Sequence, residues 1–267
     1  MKEFCFLAGM PRSGSTVLAT LLSQHPELHT SPTSTLRSLL RSVQSFYLGE
    51  SLYFDRDCEQ QLNIQRGILQ GFYQHVPEKC VLEKDRSWAA DCPLIKAVTG
   101  ERPRIVATTR RISEVIASFS LLADRVGEQN KMDDELHLAN RPVNQWSRSR
   151  ILWEKYVYAS WRDFKRGYEN NPDCFHLVDY GYLVGNPLNA VRGVYNFFGL
   201  DPVTTVTKGL VNPSPENDLI YGIKGLHDVR SKLERTSPPP EEVLGKDVCE
   251  FWDEKRLEFW AVGKTGY

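Results

Sequence analysis

The stretch that most constrains this chain is an apolar run closed by a glycine, then a polar turn, then a second apolar run. Phe4-Cys5-Phe6-Leu7-Ala8 leads into Gly9-Met10-Pro11-Arg12-Ser13-Gly14-Ser15-Thr16, and Val17 to Leu22 follow. The pattern predicts a buried strand, a tight turn and the start of a helix. Gly9 and Gly14 bracket the turn, where glycine reaches backbone angles closed to other residues. Ser13, Ser15 and Thr16 fall where the first N–H groups of the helix lack intrahelical acceptors and the helix dipole is positive. Such an end binds phosphate-like anions. The spacing G-x-x-x-x-G-x-[ST] is that of a phosphate-binding loop, with one departure: Ser15 stands where nucleoside triphosphatases carry the lysine that reaches the β/γ-phosphates. Arg12 is the basic residue of this loop, and it is expected to face a transferring group.

Further strand-like runs recur along the chain. They are Glu27 to Thr30, Cys80 to Leu82, Arg104 to Thr109 and Cys174 to Val178. Helical spacing separates them, over Ser34/Thr35 to Tyr47, Cys58 to His75, Ser87 to Val98, Ser113 to Leu122, Trp146 to Phe164 and Pro187 to Phe198. A last helix is expected from Val248 to Trp260. The polar segment from Asp124 to Asn140 shows no periodicity and reads as a mobile surface segment or lid. Alternating strands and helices predict an α/β fold. The expected form is a single-domain, P-loop-like three-layer sandwich over residues 1–267, with a central parallel sheet flanked by helices. Ligands of such sheets bind at the carboxyl ends of the strands. Arg12 to Thr16, Lys84 to Arg86, Arg110 to Ser118 and Tyr180 are therefore expected to converge.

Composition narrows the function. A formal net charge of −1 gives no global basic field, so no nucleic-acid partner is expected. The six cysteines contain no C-x-x-C pair, and no metal site is expected. No run approaches the ~20 apolar residues of a membrane span. The first apolar run is too short for a signal peptide, so a cytoplasmic location is expected.

Arg110 follows a strand, and Ser118 comes eight residues later in a helix. Together they could hold a second phosphate away from the first loop. An N-terminal P-R-S-G-S-T loop without the lysine, followed by R-x₇-S after a later strand, resembles the PAPS-dependent sulfotransferases. The resemblance implies sulfuryl transfer from PAPS to an acceptor, leaving PAP. It implies that Arg12, Ser13, Gly14, Ser15 and Thr16 hold the 5′-phosphosulfate and that Arg110 and Ser118 hold the 3′-phosphate. Lys84 in L-E-K-D resembles the strand-end lysine that contacts the sulfonate. Tyr180 in V-D-Y-G-Y-L-V resembles the tyrosine of V-x-Y-E-x-L, with Gly181 in place of the glutamate. Ser231 to Thr236 resembles a late donor-binding segment of tyrosylprotein sulfotransferases, which implies donor contacts from Thr236 and from Lys246 in V-L-G-K.

The chemistry suits these residues. Sulfuryl transfer is in-line displacement, and the protein's task is positioning and charge stabilisation. A sulfonate carries less charge than a phosphoryl group, so no metal is required. The general base stays open. Tyrosylprotein sulfotransferases place a glutamate after the first helix and strand, where this chain has Ser31-Pro32-Thr33-Ser34. Asp85 and Glu83 flank Lys84, and His227 precedes Asp228, which could orient it. The acceptor, whether small molecule, carbohydrate, lipid or peptide, and the oligomeric state are not legible. Two alternatives remain at this stage. One is a kinase or nucleoside triphosphatase using Asp85 and Asp179 as metal-side acids. The other is a non-catalytic nucleotide-binding relative.

Overall fold

The computed structural model describes residues 2–49, 58–126, 131–213, 215–216, 218, 227–235, 237–254 and 258–261. The first half runs β1 (Glu3–Gly9), α1 (Ser15–Leu22), β2 (Leu28–Thr33), α2 (Leu36–Gly49), α3 (Cys58–Phe72), β3 (Cys80–Lys84), α4 (Cys92–Thr99), β4 (Ile105–Thr109) and α5 (Ile112–Val126). The second half runs α6 (Lys131–Leu138), α7 (Gln145–Leu152), α8 (Tyr158–Asn170), β5 (Phe175–Asp179), α9 (Tyr180–Gly185), α10 (Pro187–Phe198), α11 (Pro240–Leu244) and α12 (Lys246–Trp252). The strands form one sheet in the order β2-β3-β1-β4-β5, with every neighbouring pair parallel. This is the flanked parallel sheet that the alternation of strands and helices predicts.

β1 sits at the centre, and its residues Phe4 to Ala8 are all buried. Successive side chains of a strand point to opposite faces. Phe4, Phe6 and Ala8 join a core with Val81, Trp88, Ile105 and Phe164, while Cys5 and Leu7 join one with Leu18, Leu82, Val106 and Val194. The same alternation sends Glu83 and Lys84 to opposite faces of β3. All six cysteines are free thiols. Among the described residues no helix is long and apolar enough to cross a membrane.

Several elements differ from expectation. The helix expected over Ser87–Val98 is a 3₁₀ turn, Arg86–Ala90, followed by α4. The break falls at Asp91, whose buried carboxylate pairs with Arg37 at 2.6 Å and with Arg41. The segment read as a mobile lid holds α6 and the end of α5, with residues 127–130 outside the described ones. Met132 and Leu136 are buried there, and Arg148 Nε donates to Asp133 at 2.8 Å. Two apolar residues four apart are too few to stand out as periodicity. The helix expected over Trp146–Phe164 is α7 and α8 joined by a π-helical turn, Trp153–Val157. The C-terminal helix stops at Trp252, and Phe259–Ala261 forms a separate 3₁₀ turn.

At the end of β1, Gly9 has φ of 116°, and a Cβ there would lie 2.3 Å from the Thr108 carbonyl oxygen. Both the conformation and the contact exclude a side chain. Gly9→Ala is expected to cost about 2–4 kcal/mol, because backbone on β4 must move. Chemical denaturation of the wild type and the variant measures it, and a loss below about 0.5 kcal/mol would contradict the reading.

Candidate active site

The turn after β1 is built by its neighbours. The Met10 N–H donates to Thr108 O at 3.0 Å, which ties the turn to the end of β4. Ser13 is fully buried, and its hydroxyl contacts Met10 O at 2.5 Å and Thr108 Oγ1 at 2.6 Å. Arg12 takes a left-handed backbone, φ 57°, which is costly for a residue with a side chain. Its carbonyl accepts from Arg110 Nη1 at 2.9 Å, so the strained turn is clamped by the strand end next to it. Gly14 (φ 91°) caps α1 and brings no side chain to bond the first-turn amides. They therefore face the space in front of the helix, as an anion site requires.

That space is a cavity of about 250 Å³. Arg12, Gly14, Ser15, Thr16, Arg110 and Ser118 line it together. The two halves of the predicted constellation thus meet at one place. Arg12 Nε donates to Ser118 Oγ at 3.2 Å across the cavity. Arg110 lies 4.0 Å over the Tyr180 ring, and its Nε donates to Glu114 at 2.9 Å. Glu114 also accepts from Arg235 Nη2 at 2.5 Å. Burial pushes the Arg12 guanidinium down to about 10, and the nearby Arg110 charge adds to the effect. An anion between the two guanidiniums would relieve this repulsion.

A second network lies behind α1. Lys84 Nζ donates to Thr16 Oγ1 at 3.1 Å and forms a buried ion pair with Glu216. Burial lowers the Lys84 ammonium from its ordinary value, and the Glu216 charge opposes that shift. Burial alone would raise the Glu216 carboxyl, but Lys84, then His227 and Thr33, outweigh it and hold it below its ordinary value. The other oxygen of Glu216 is 3.5 Å from His227 Nε2. His227 Nδ1 lies 2.6 Å from Asp218 Oδ1, and the His227 backbone N–H donates to Asp218 Oδ2 at 3.1 Å. The short contact to a carboxylate places a proton on Nδ1. The carboxylate beside the His227 ring is thus Asp218, whereas the sequence pointed to its neighbour Asp228. His25 is structural: its Nδ1 accepts from the Glu27 N–H at 3.1 Å while Nε2 contacts Asp201 O at 3.0 Å.

The other residues singled out from sequence fall elsewhere. Asp85 caps the 3₁₀ turn after β3, accepting from the Ser87 N–H at 2.7 Å. Asp179 caps α9 through the Tyr182 N–H at 3.1 Å. The two acids that a triphosphatase would need are therefore both engaged as helix caps. Lys246 opens α12 well exposed, pairs with Glu250 at 3.6 Å and does not line the cavity. Thr236 lies outside the described residues. Glu83 is sealed on the opposite face of β3, taking hydroxyl donors from Ser31 at 3.2 Å, Ser34 and Tyr73.

Arg86 and Lys232, from two segments expected at the site, line the cavity; sequence reasoning did not single out Tyr156 and Arg230, which also line it, or Glu216 and Asp218 beside His227. Tyr156 falls in the run Trp146 to Phe164, whose spacing signals only a helix. The late residues arrive by long-range packing. Lys208 and Lys232 form an antiparallel bridge, and the Gln24 side chain at the end of α1 bonds Val206 at 2.9 and 2.7 Å.

Comparison with known proteins decides the family. The model of the sulfotransferase family described as Sulfotransfer_3 matches residues 5–204. The chain belongs to the sulfotransferase family. Among solved structures, the sulfotransferase domain from the curacin biosynthetic pathway aligns with a TM-score of 0.51 at 15% identity, covering 100% of this chain and 93% of that one. The sulfotransferase domain from the Synechococcus PCC 7002 olefin synthase gives a TM-score of 0.46 at 20% identity, covering 75% of each chain. At 15% identity the likeness to the first of these is one of fold. No curated protein matches the chain.

Glu83 in this sulfotransferase yields a pH prediction. Burial raises its carboxyl from 4.5 to about 7, against the pull of Ser34, Tyr73 and Ser31. Between those values the folded chain holds a proton that the unfolded chain has released. The stability due to the neutral acid is complete below about 4.5 and is lost as pH rises to about 7. The unfolding free energy of the wild type minus that of Glu83→Gln is expected to fall across pH 4.5–7 and then level off. A flat difference would show that Glu83 is ionised throughout.

Proposed function

We propose that this sulfotransferase moves a sulfuryl group from PAPS to a hydroxyl or amine acceptor by in-line displacement, without a metal. The observation that carries the reading is the convergence of Arg12 with the α1 N-terminus, and of Arg110 with Ser118, on one cavity. Two anion-binding groups facing one space suit a ligand with two separated phosphates. Ser15 in the lysine position makes a triphosphate a poor fit. The residues present fit such a donor: amides and hydroxyls at the loop, and two guanidiniums whose mutual repulsion an anion relieves.

In this reading the amides of the loop, with the Ser15 and Thr16 hydroxyls, bind the 5′-phosphate. Ser13 contributes through the backbone it pins. Arg110 and Ser118 bind the 3′-phosphate, and Tyr180 supports Arg110 from below. Arg12 and Lys84 stabilise charge on the sulfonate and on the oxygen that leaves with the 5′-phosphate. His227, with Nδ1–H given to Asp218, takes the acceptor's proton at Nε2 as the new O–S bond forms and the bridging O–S bond breaks. PAP leaves with the electron pair of that bond. Asp85, engaged as a cap, receives no role in this step.

Two expectations test the assignments. Arg110→Ala is expected to weaken PAP binding about 100-fold while AMP binding falls only a few-fold, as calorimetric titration would read. Arg110 also clamps the loop, and loop damage lowers both affinities together, so the ratio isolates the 3′-phosphate. Equal losses would remove Arg110 from that role. For His227→Asn, turnover with any accepted substrate is expected to drop by about 10²–10⁴ with PAP affinity within a few-fold of wild type. Retained turnover would point to another base.

A further inference from the structure

Glu216 occupies the point where the reaction proposed above needs an anion. Its carboxylate pairs with Lys84 Nζ on one side and lies 3.5 Å from His227 Nε2 on the other. The Glu216 side chain is 5% exposed and that of Lys84 is 9% exposed, so solvent does not screen the pair. Lys84 is at the same time 3.1 Å from Thr16 Oγ1 in the first turn of α1. The cation that points at the loop is therefore already neutralised by a side chain of the protein. The same carboxylate stands beside Nε2, the ring nitrogen of His227 that is not committed to Asp218.

We propose that Glu216 is a built-in stand-in for the sulfonate. It holds Lys84 and covers His227 Nε2 until the donor displaces it, and so enforces donor binding before acceptor binding. The inference rests on the donor and base assignments proposed above. Three features of the site support it. Glu216 Oε2 is buried without a well-formed hydrogen bond, so half of the carboxylate is poorly satisfied and its release from the site is inexpensive. Lys84 ends β3, whereas Glu216 stands in neither a helix nor a strand, so fewer backbone hydrogen bonds oppose its displacement. Two anions cannot share one buried ammonium at close range, so the donor and Glu216 compete for Lys84. An acceptor hydroxyl finds no accepting nitrogen until that competition is resolved.

The contact therefore opposes donor binding by its own stability. Removing the charge while keeping the shape is expected to tighten binding of the anion that competes for Lys84. The test is calorimetric titration with PAPS, without acceptor, of wild type, Glu216→Gln, Glu216→Ala, Lys84→Met and the double variant Lys84→Met/Glu216→Gln. Glu216→Gln is expected to bind PAPS about tenfold more tightly than wild type, with Glu216→Ala shifting the same way, and the gain is expected to vanish when Lys84 is Met. Unchanged or weaker PAPS binding by both Glu216 variants would overturn the proposal and make Glu216 a support that holds Lys84 in place. An equal gain in the Lys84→Met background would overturn it too, because the effect would then be general charge. PAP, which lacks the sulfonate, separates these outcomes from failure of the donor assignment. If neither PAP nor PAPS binds wild type or Glu216→Gln, the donor reading falls and the stand-in falls with it.

Discussion

The arginine at the end of β4 holds the site together. Arg110 donates to the carbonyl of Arg12, to Glu114 one helical turn later, and rests on the ring of Tyr180. The Tyr180 ring in turn lies against Gly14, where a Cβ would come within 2.9 Å of it. One guanidinium thus braces a left-handed residue, the cap of α1 and the start of α9. Strain of this kind persists only where the surroundings over-determine it. The loop keeps its shape because elements after β1, β4 and β5 all press on it, and those three strands are neighbours in the sheet.

The strand order makes that possible. With β1 central, β3 on one side and β4 on the other, the carboxyl ends of three strands deliver different chemistry to one edge. β1 brings the anion-binding turn, β3 brings Lys84, and β4 brings Arg110. Pleating sorts the two charged residues at the end of β3. Lys84 goes to the face of α1, and Glu83 goes to the opposite face, where three hydroxyls receive it. A single-residue slip in β3 would exchange them, placing a carboxylate against the loop and an ammonium in a pocket of hydroxyl donors. The Lys84 backbone N–H donates to Ser31 Oγ at 3.0 Å, and Ser31 donates to Glu83, which links the register of β2 and β3 to the position of both charges.

Much of this architecture was legible because strands buried on both faces read as unbroken apolar runs. Phe4–Ala8, Cys80–Leu82 and Ile105–Ala107 needed no alternation to be seen, and glycine spacing marked the loop. What escaped was whatever tertiary contact decides. The buried charge of Asp91 splits α4 from the turn before it. α6 carries only two buried apolar residues, and no local signal separates its polar sequence from a loop. Within the site, loop and strand-end residues were readable by position. Glu216 and Asp218 lie in Pro215 to Asp218, a run with no periodicity, and they reach Lys84 and His227 only because the chain beyond α10 folds back over α1. Proximity in sequence suggested Asp228 as the histidine's partner, and proximity in space supplied Asp218. Turn and loop acids are poorly placed by sequence because the backbone there is set by what it packs on.

The distribution of charge explains how such a site stays folded with its ligand groups so densely cationic. Arg12, Lys84, Arg110 and Arg235 crowd one edge, yet the chain carries almost no net charge. Glu114 answers Arg110 and Arg235, and Glu216 answers Lys84. Arg12 bonds the neutral Ser118 hydroxyl, and its guanidinium is depressed by burial and by Arg110. An anion entering the cavity therefore gains at Arg12, the cation of the loop itself. The lysine that triphosphatases use is replaced by Ser15, so the loop's charge sits on Arg12, a long planar group anchored in a strained turn. Such a group is suited to the oxygens of a weakly charged sulfonate, because it can offer parallel N–H donors where a lysine offers a point charge.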